Sequence, residues 1–345
     1  MDALSEVLRT VTLDSALYYH AEFSAPWCVR APASSVMGPR LTPGAGHVII
    51  FHVVLEGRAY AAVDGGARIQ LDAGNVVIFP RGDPHIMGNG RSIRAVDAAA
   101  ELDRVLSQGL KVSRMGGGGE VTRIVCGYLV SDPRLGQALL SGLPRLLTVN
   151  IRSDSAGRWL EDAVLRSVRE ADSLEAGGKA VLSKLSELVF VETLRRYIAE
   201  LPACETGWLA GVRDDHVGRA LAIMHRHPGH PWTIARLAEG VGVSRSVFAE
   251  RFKRCVGEPP MSYLARWRLR SGARLLSTTS WSVARTALEV GYESEAAFNR
   301  AFKREFGSPP ARYRNLARAA REIGGSHDHG IRGQAQPVLA GGTCQ

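Results

Sequence analysis

The phrase SRSVFAERFKRCVG, beginning at Ser244, returns fifty residues later as SEAAFNRAFKREFG, beginning at Ser294. Nine identities hold that one offset: Ser244 with Ser294, Phe248 with Phe298, Phe252 with Phe302, Lys253-Arg254 with Lys303-Arg304, Gly257 with Gly307, Pro259-Pro260 with Pro309-Pro310, and Tyr263 with Tyr313. A period kept through so many positions means one supersecondary unit used twice. Phenylalanines four residues apart share one face of a helix. A serine ahead of them suits the N-cap, where its oxygen accepts from amides that the first turn leaves unpaired. Glycine followed by a proline pair ends the helix.

A shorter helix precedes each copy. TIARLAEGVGV is opened by Thr233 and SVARTALEVGYE by Ser282, and each closes at a glycine turn, Gly242 and Gly291. Helix, glycine turn, serine-capped helix is the helix-turn-helix pattern. The second copy has one residue more between its turn glycine and its serine. In this motif the second helix enters the major groove. With the phenylalanines assigned to the core, the opposite face offers Arg245, Ser246, Ala249, Glu250 and Lys253 in copy one, and Glu295, Ala296, Asn299, Arg300 and Lys303 in copy two. Arg300 suits a guanine edge, Asn299 an adenine and Glu250 the amino group of cytosine. The lysines suit phosphates. Read without the repeat, these are ordinary solvated helix faces. Charge weighs against that reading. Residues 211–321 hold 20 Lys and Arg against 9 Asp and Glu, whereas the rest of the chain holds 23 against 25. The surplus positive charge is therefore confined to the segment that carries the repeat, as a polyanion-binding module requires.

The segment running through WTIARLAEGVGVSRSVFAERFKRCVGEPPMSYL and VGYESEAAFNRAFKREFGSPPARYR resembles the C-terminal domain of the AraC/XylS family of transcription regulators. The resemblance implies two helix-turn-helix subdomains joined by a long helix over about residues 260–276, reading adjacent major-groove segments of double-stranded DNA. It maps base reading to Ser246, Ala249, Glu250, Ala296, Asn299 and Arg300. The chain departs from the family pattern at Ala249 and Ala296, whose side chains cannot hydrogen-bond and can meet only a thymine methyl.

Residues 10 to about 130 read as β, with short apolar runs such as HVIIFHVVLEG and GNVVIFP between turns such as VDGGAR and PRGDPH, the pattern of a sandwich or barrel. The glycine-rich RMGGGGE, from Arg114 to Glu120, lacks the ending of a phosphate loop and reads as a flexible connection. From about Ser155 to Leu201 the period becomes helical, with a break at Gly177-Gly178. Leu182, Leu185, Val189, Phe190, Leu194, Tyr197 and Leu201 form an apolar surface that packs on the β domain or on a second copy of the chain. GNVVIFPRGDPHIMGN resembles the second motif of cupin barrels, and GHVIIFHVVLEG begins like the first. Metal-dependent cupins use two histidines, a glutamate and a third histidine. Here His52 and His85 remain, Val54 stands where the next histidine is expected, and the glutamate position falls at Arg58 or Ala59. Three readings stay open: structural histidines, an effector pocket, or a zinc site completed by Cys126, whose thiolate is a good soft ligand. His327 and His329 in the tail are too few to hold a metal firmly. The opening DALSEVLRTVTLDSALYYHAEFSAPWCVRAP and VCGYLVSDPRLGQALLSGLPRLLTVN resemble the sensor half of one AraC subgroup, which implies a regulatory domain.

The expected architecture is α+β in two domains. A cupin-like β-barrel with helices spans residues 1–201, a linker 202–212, an all-α domain with two helix-turn-helix units 213–321, and a disordered tail 322–345. The five cysteines include no CxxC pair, which fits a reducing cytoplasm rather than a disulfide framework. No apolar run spans a membrane, and the N-terminus lacks the pattern of a secretory signal. The expected function is a bacterial DNA-binding transcription regulator, not an enzyme, which is cytoplasmic and nucleoid-associated. A small-molecule effector would act in the cupin domain of a homodimer, and RNA polymerase would be a partner if the protein activates.

Overall fold

The computed structural model describes residues 2–10, 14–42, 47–91, 93–108, 110–131, 140, 142–170, 177–202 and 207–316. The tail from residue 322, with His327 and His329, lies outside them, as do Cys204 and Cys344.

The N-terminal half is two β-sheets packed face to face. One has six strands in the order β11-β6-β3-β10-β1-β9, built from β1 (Asp14–Ser24), β3 (His47–Glu56), β6 (Asn75–Phe79), β9 (Ser113–Gly116), β10 (Val121–Ser131) and β11 (Leu147–Asn150). The other has five, β5-β4-β7-β2-β8, from β2 (Trp27–Ala31), β4 (Arg58–Val63), β5 (Ile69–Asp72), β7 (His85–Asn89) and β8 (Val96–Asp97). The strands thus form an open cupin-like sandwich, and they continue to residue 150 because β11 pairs with β6 after the expected end of the β region.

Strand β3 shows why the sequence lacks polar alternation here. Ile49, Phe51, Val53 and Leu55 face a helical layer, while Val54 joins the core between the sheets and Val48 and Ile50 a smaller cluster with Met37 and Leu102. A strand covered on both faces reads as one apolar run. The covering helices are α4 (Ser155–Glu170) and α5 (Gly178–Glu200), preceded in the chain by α1 (Ala3–Thr10), α2 (Ser34–Leu41) and α3 (Ala98–Gln108). On α5, Leu185, Val189, Phe190, Leu194 and Ile198 are buried in the core shared with the larger sheet, so this surface packs on the β domain.

RMGGGGE is not a loose connection. Gly116 closes β9, which pairs in parallel with β1. The amides of Gly117 and Gly119 donate to the carbonyls of Ser24 and Ala25 at 2.9 and 2.8 Å. A Cβ at Gly116 would lie 2.0 Å from the Ser24 oxygen, so glycine here permits close backbone approach rather than motion.

The C-terminal half is helical: α6 (Trp208–Arg213), α7 (Asp215–Arg226), α8 (Ile234–Val241), α9 (Arg245–Val256), α10 (Pro260–Thr278), α11 (Val283–Glu289) and α12 (Glu295–Phe306), with residues 310–316 also helical. All four expected caps form. Thr233, Ser244, Ser282 and Ser294 accept from Arg236, Val247, Arg285 and Ala297 amides, and Gly242, Gly257, Gly291 and Gly307 all have positive φ. The repeated tyrosines do the same work twice. Tyr263 meets Phe252 edge-on at 5.7 Å between ring centroids, and Tyr313 meets Phe302 at 5.4 Å.

The two units do not share one core. Phe248, Phe252, Tyr263 and Trp267 belong to the cluster that runs through α6 and α5 into the large sheet. Phe298, Phe302, Tyr313 and Ala287 form a second cluster with Leu269, Ala273 and Leu276 of α10. Helix α10 therefore contributes its first half to one core and its second half to the other. The N-terminal helix α1 buries Ala3, Leu4 and Val7 in the first of these cores, and Glu6 approaches Arg226 of α7 at 3.9 Å.

Candidate nucleic-acid interface and buried cavity

Helices α9 and α12 bury the phenylalanines that the repeat keeps and expose most of the positions that differ, along with the shared Lys-Arg pair. Phe248, Phe252, Phe298 and Phe302 are at most 1% exposed. Arg245, Ser246, Glu250, Lys253, Glu295, Ala296, Arg300 and Lys303 are exposed, and Ala249 and Asn299 are half-buried. Both helices thus present a polar face, and copy two places an amide and a guanidinium next to each other at Asn299 and Arg300. Arg245, Ser246 and Ala249 border a surface groove with Trp232 and Thr233 from the start of α8. Arg251, on α9, donates from Nε to Asp214 Oδ2 at 2.7 Å. Asp214 also caps α7, accepting from the His216 and Val217 amides.

One residue outside both recognition helices links the two units. Arg268, midway along α10, donates from Nε to the Pro228 carbonyl at 2.7 Å, from an Nη to the His230 carbonyl at 2.8 Å, and from the other Nη to the Gly291 carbonyl at 3.2 Å. Pro228 and His230 lie in the loop before α8, and Gly291 is the turn of the second unit. One guanidinium therefore ties the entry of the first motif to the turn of the second. Nothing in the repeat flags it, since its three acceptors are backbone atoms far away in sequence.

In the β domain, His52, His85 and Cys126 come together. His52 lies on β3 opposite Cys126 of β10. His85 opens β7 on the facing sheet and reaches across to it. His52 Nδ1 is 2.7 Å from Cys126 Sγ, His52 Nε2 is 3.1 Å from His85 Nε2, and His85 Nδ1 is 3.0 Å from the Asp83 carbonyl. The carbonyl accepts only, so His85 Nδ1 carries the proton and its Nε2 must accept. His52 therefore donates from Nε2, and its Nδ1 accepts from the Cys126 thiol. Every member of this chain is neutral and satisfied. Burial depresses both imidazoles, with the neighbouring His85 adding to the effect at His52, and His85 falls to about 4. Burial alone pushes the Cys126 thiol up, away from the thiolate.

This geometry speaks against the zinc reading, one of the three left open by the sequence. His52 faces Cys126 with one ring nitrogen and His85 with the other, on different edges of the ring, so the three side chains form a line rather than a shell around one point. Among the described residues, no group of three His, Cys, Asp or Glu could hold a metal ion. The residues do not fit a resident zinc.

His52, His85 and Cys126 instead form the polar end of a cavity of about 70 Å³ between the sheets, beneath α3. Its remaining wall is largely apolar, with Tyr18, Tyr19, Phe23, Trp27, Met87 and Leu102 prominent. The sequence gives no hint that Tyr18 and Tyr19 point the same way, because neighbours on a strand alternate. An irregularity in the β1–β10 register between Leu17 and Tyr19 lets both reach the cavity. Cys28 is elsewhere, taking a contact from Tyr60 Oη at 3.7 Å.

Comparison with known proteins agrees with both halves. Residues 2–199 match the family described as a cupin, and residues 237–316 match a helix-turn-helix domain. The chain is 32% identical over 315 residues to a Streptomyces lividans protein named for AraC-like transcription regulation, covering 91% of this chain and 98% of that one. It is 28% identical over 318 residues to the HTH-type transcriptional regulator AlkR of Acinetobacter baylyi, covering 91% and 99%. It is also 28% identical over 321 residues to the RCS-specific HTH-type transcriptional activator RclR of Escherichia coli, covering 92% and 99%.

Proposed function

The chain belongs to the AraC-like transcription regulators that carry an N-terminal cupin domain, and we propose that it reads an asymmetric DNA site under the control of a small molecule held in the cupin cavity. As a member of that family it is a DNA-binding transcription regulator. The observation that carries the reading is the pair of recognition helices. They share a buried scaffold and differ at most exposed positions, which supports different sequence preferences for the two half-contacts. Asn299 and Arg300 would make the principal base contacts through copy two, with Ser246 and Glu250 contributing through copy one, Ala249 and Ala296 meeting thymine methyls, and Arg245, Lys253 and Lys303 meeting phosphates. Glu295, exposed in the first turn of α12, would accept from a cytosine or screen the helix from phosphates.

Control would pass through β1, which lies between the cavity and the core shared with the DNA-binding half. Helix α5 packs on β1, whose Tyr18, Tyr19 and Phe23 line the cavity, and the same cluster extends through α6 to the first helix-turn-helix unit. A ligand that favours one packing of this core would shift the population of DNA-competent arrangements. A homodimer would form through the outer side of α4 and α5, where Trp159 is 62% and Val181 52% exposed beside Leu165 and Leu185. If the protein activates, as the name of the Escherichia coli relative states for that protein, RNA polymerase is a further partner. We read the chain as a non-enzymatic protein acting in the cytoplasm at the nucleoid. Among the described residues no helix is long and apolar enough to cross a membrane, and Cys28, Cys126 and Cys255 are free thiols.

Genome-wide footprinting tests the DNA reading. Peaks sharing one asymmetric motif support it, and peaks without a shared motif overturn it. For the effector reading, Val105→Phe adds bulk to the cavity wall from α3. Promoters under the peaks should then stop responding to the growth conditions that change their output in the wild type.

A further inference from the structure

The cavity between the sheets has one feature that the neutral His–Cys chain does not account for. Trp27 is 2% exposed, forms part of the cavity wall and stacks on Phe23 with ring centroids 4.3 Å apart. Its Nε1 is buried and has no acceptor among the described residues. A buried donor left unpaired costs more than its bond would contribute in water, so such groups mark a missing partner.

The imidazoles, the thiol and the carboxylate of the cavity wall are already committed. His52, His85 and Cys126 satisfy one another and the Asp83 carbonyl. Glu101, where α3 borders the cavity, accepts from Arg104 Nε at 2.7 Å. No uncompensated charge lines the wall, so a charged ligand would lose its hydration without gaining a counter-ion. Met37, Met87 and Met115 are also in the wall, and their unbranched side chains let it adjust to the shape of a guest.

Resting on the effector reading above, we propose that the cavity takes an uncharged, mainly apolar molecule carrying one hydrogen-bond acceptor, and that the acceptor is held by the Trp27 Nε1–H. The aromatic pair Trp27 and Phe23 favours a flat apolar body beside that acceptor.

The test uses the full chain with 15N-labelled tryptophan and three probes of similar size: acetophenone, uncharged with one acceptor; ethylbenzene, without an acceptor; and benzoate, charged. Trp27→Phe assigns the indole resonance among the six tryptophans. Acetophenone should bind about tenfold more tightly than ethylbenzene, the gain of one buried hydrogen bond, and should move the Trp27 N–H signal. Benzoate should bind more weakly than either. In Trp27→Phe the preference for acetophenone over ethylbenzene should vanish while ethylbenzene still binds. If that variant does not fold, the ratio of the two affinities in the wild type still decides. Equal affinities, tighter binding of benzoate, or an unmoved Trp27 signal overturns the proposal. If Val105→Phe abolishes the promoter response while acetophenone leaves Trp27 untouched, this ligand class falls and the effector reading stands. If Val105→Phe leaves the response intact, the effector reading falls and takes this inference with it.

Discussion

Arg268 holds Gly291 by its carbonyl, at 3.2 Å, across the boundary between two helix-turn-helix units that otherwise have separate cores. The same guanidinium grips the Pro228 and His230 carbonyls. In the proposed reading both recognition helices meet the DNA at once, which makes the angle between the units part of the binding site. Arg268→Ala should raise the Kd for the specific site about tenfold, the loss of one to two hydrogen bonds from a charged donor, and change affinity for random DNA by about twofold or less. Competition titrations with specific and random duplexes check the ratio. Arg268→Lys should not restore it, since an ammonium cannot span three acceptors placed for a planar fork.

Gly291 provides a second handle on that clamp. Its φ is +84°, and an added Cβ would lie 2.9 Å from Arg268 Cζ. Gly291→Ala combines left-handed strain with displacement of the guanidinium and should destabilise the second unit by about 1–3 kcal/mol. Denaturant titration followed by hydrogen exchange would localise the loss to α11 and α12.

Arg300 is exposed on α12, and the proposed reading turns it toward the groove. Arg300→Ala should cost about 1–3 kcal/mol on the cognate site and relax preference at one base pair. Mobility-shift titrations over single-base variants test this. Equal loss on every sequence would make Arg300 a phosphate contact instead.

The two cores should yield differently to the same truncation. Phe248→Ala and Phe298→Ala each remove a fully buried ring, a loss of about 3–5 kcal/mol. Phe248 shares its cluster with α5, α6 and the large sheet, so its loss should lower the melting of sensor and first unit together. Phe298 belongs to the smaller cluster, and its loss should free the second unit alone. Hydrogen exchange resolved by peptide distinguishes these patterns.

The buried imidazoles make stability depend on pH. His85 sits at about 4 in the folded state, held down by burial, against an ordinary value of 6.5. As pH falls from 6.5 toward 4 the unfolded chain takes up this proton first, so stability is lost across that window and is fully present above it. His52 shifts in the same direction. The contribution of His85 is roughly 3 kcal/mol at most. Urea unfolding between pH 7.5 and 4.5 should show the loss, and His85→Gln should have a shallower slope.

The local signals in the sequence were enough for the DNA-binding half. Caps at Thr233, Ser244, Ser282 and Ser294, glycine stops, and phenylalanines four apart act within a few residues of themselves, so reading them needs no knowledge of the rest of the chain. The same holds for the apolar face of α5 and for the proximity of His52 and His85, which the resemblance to a known β fold implies.

What the chain could not reveal alone was decided by distance. The role of Cys126 turned on which ring nitrogen of His52 it meets, and facing sheets placed it in a line rather than around a metal. A register irregularity turned Tyr18 and Tyr19 into one cavity. Close backbone packing pinned a glycine run expected to be loose against Ser24 and Ala25. Arg268 is one arginine among many until folding brings three carbonyls to it, and Trp27 is one aromatic among many until burial removes the water from its N–H. Periodicity reports what a residue does to its own helix or strand. The partner a polar atom meets across the fold is set only when the elements pack.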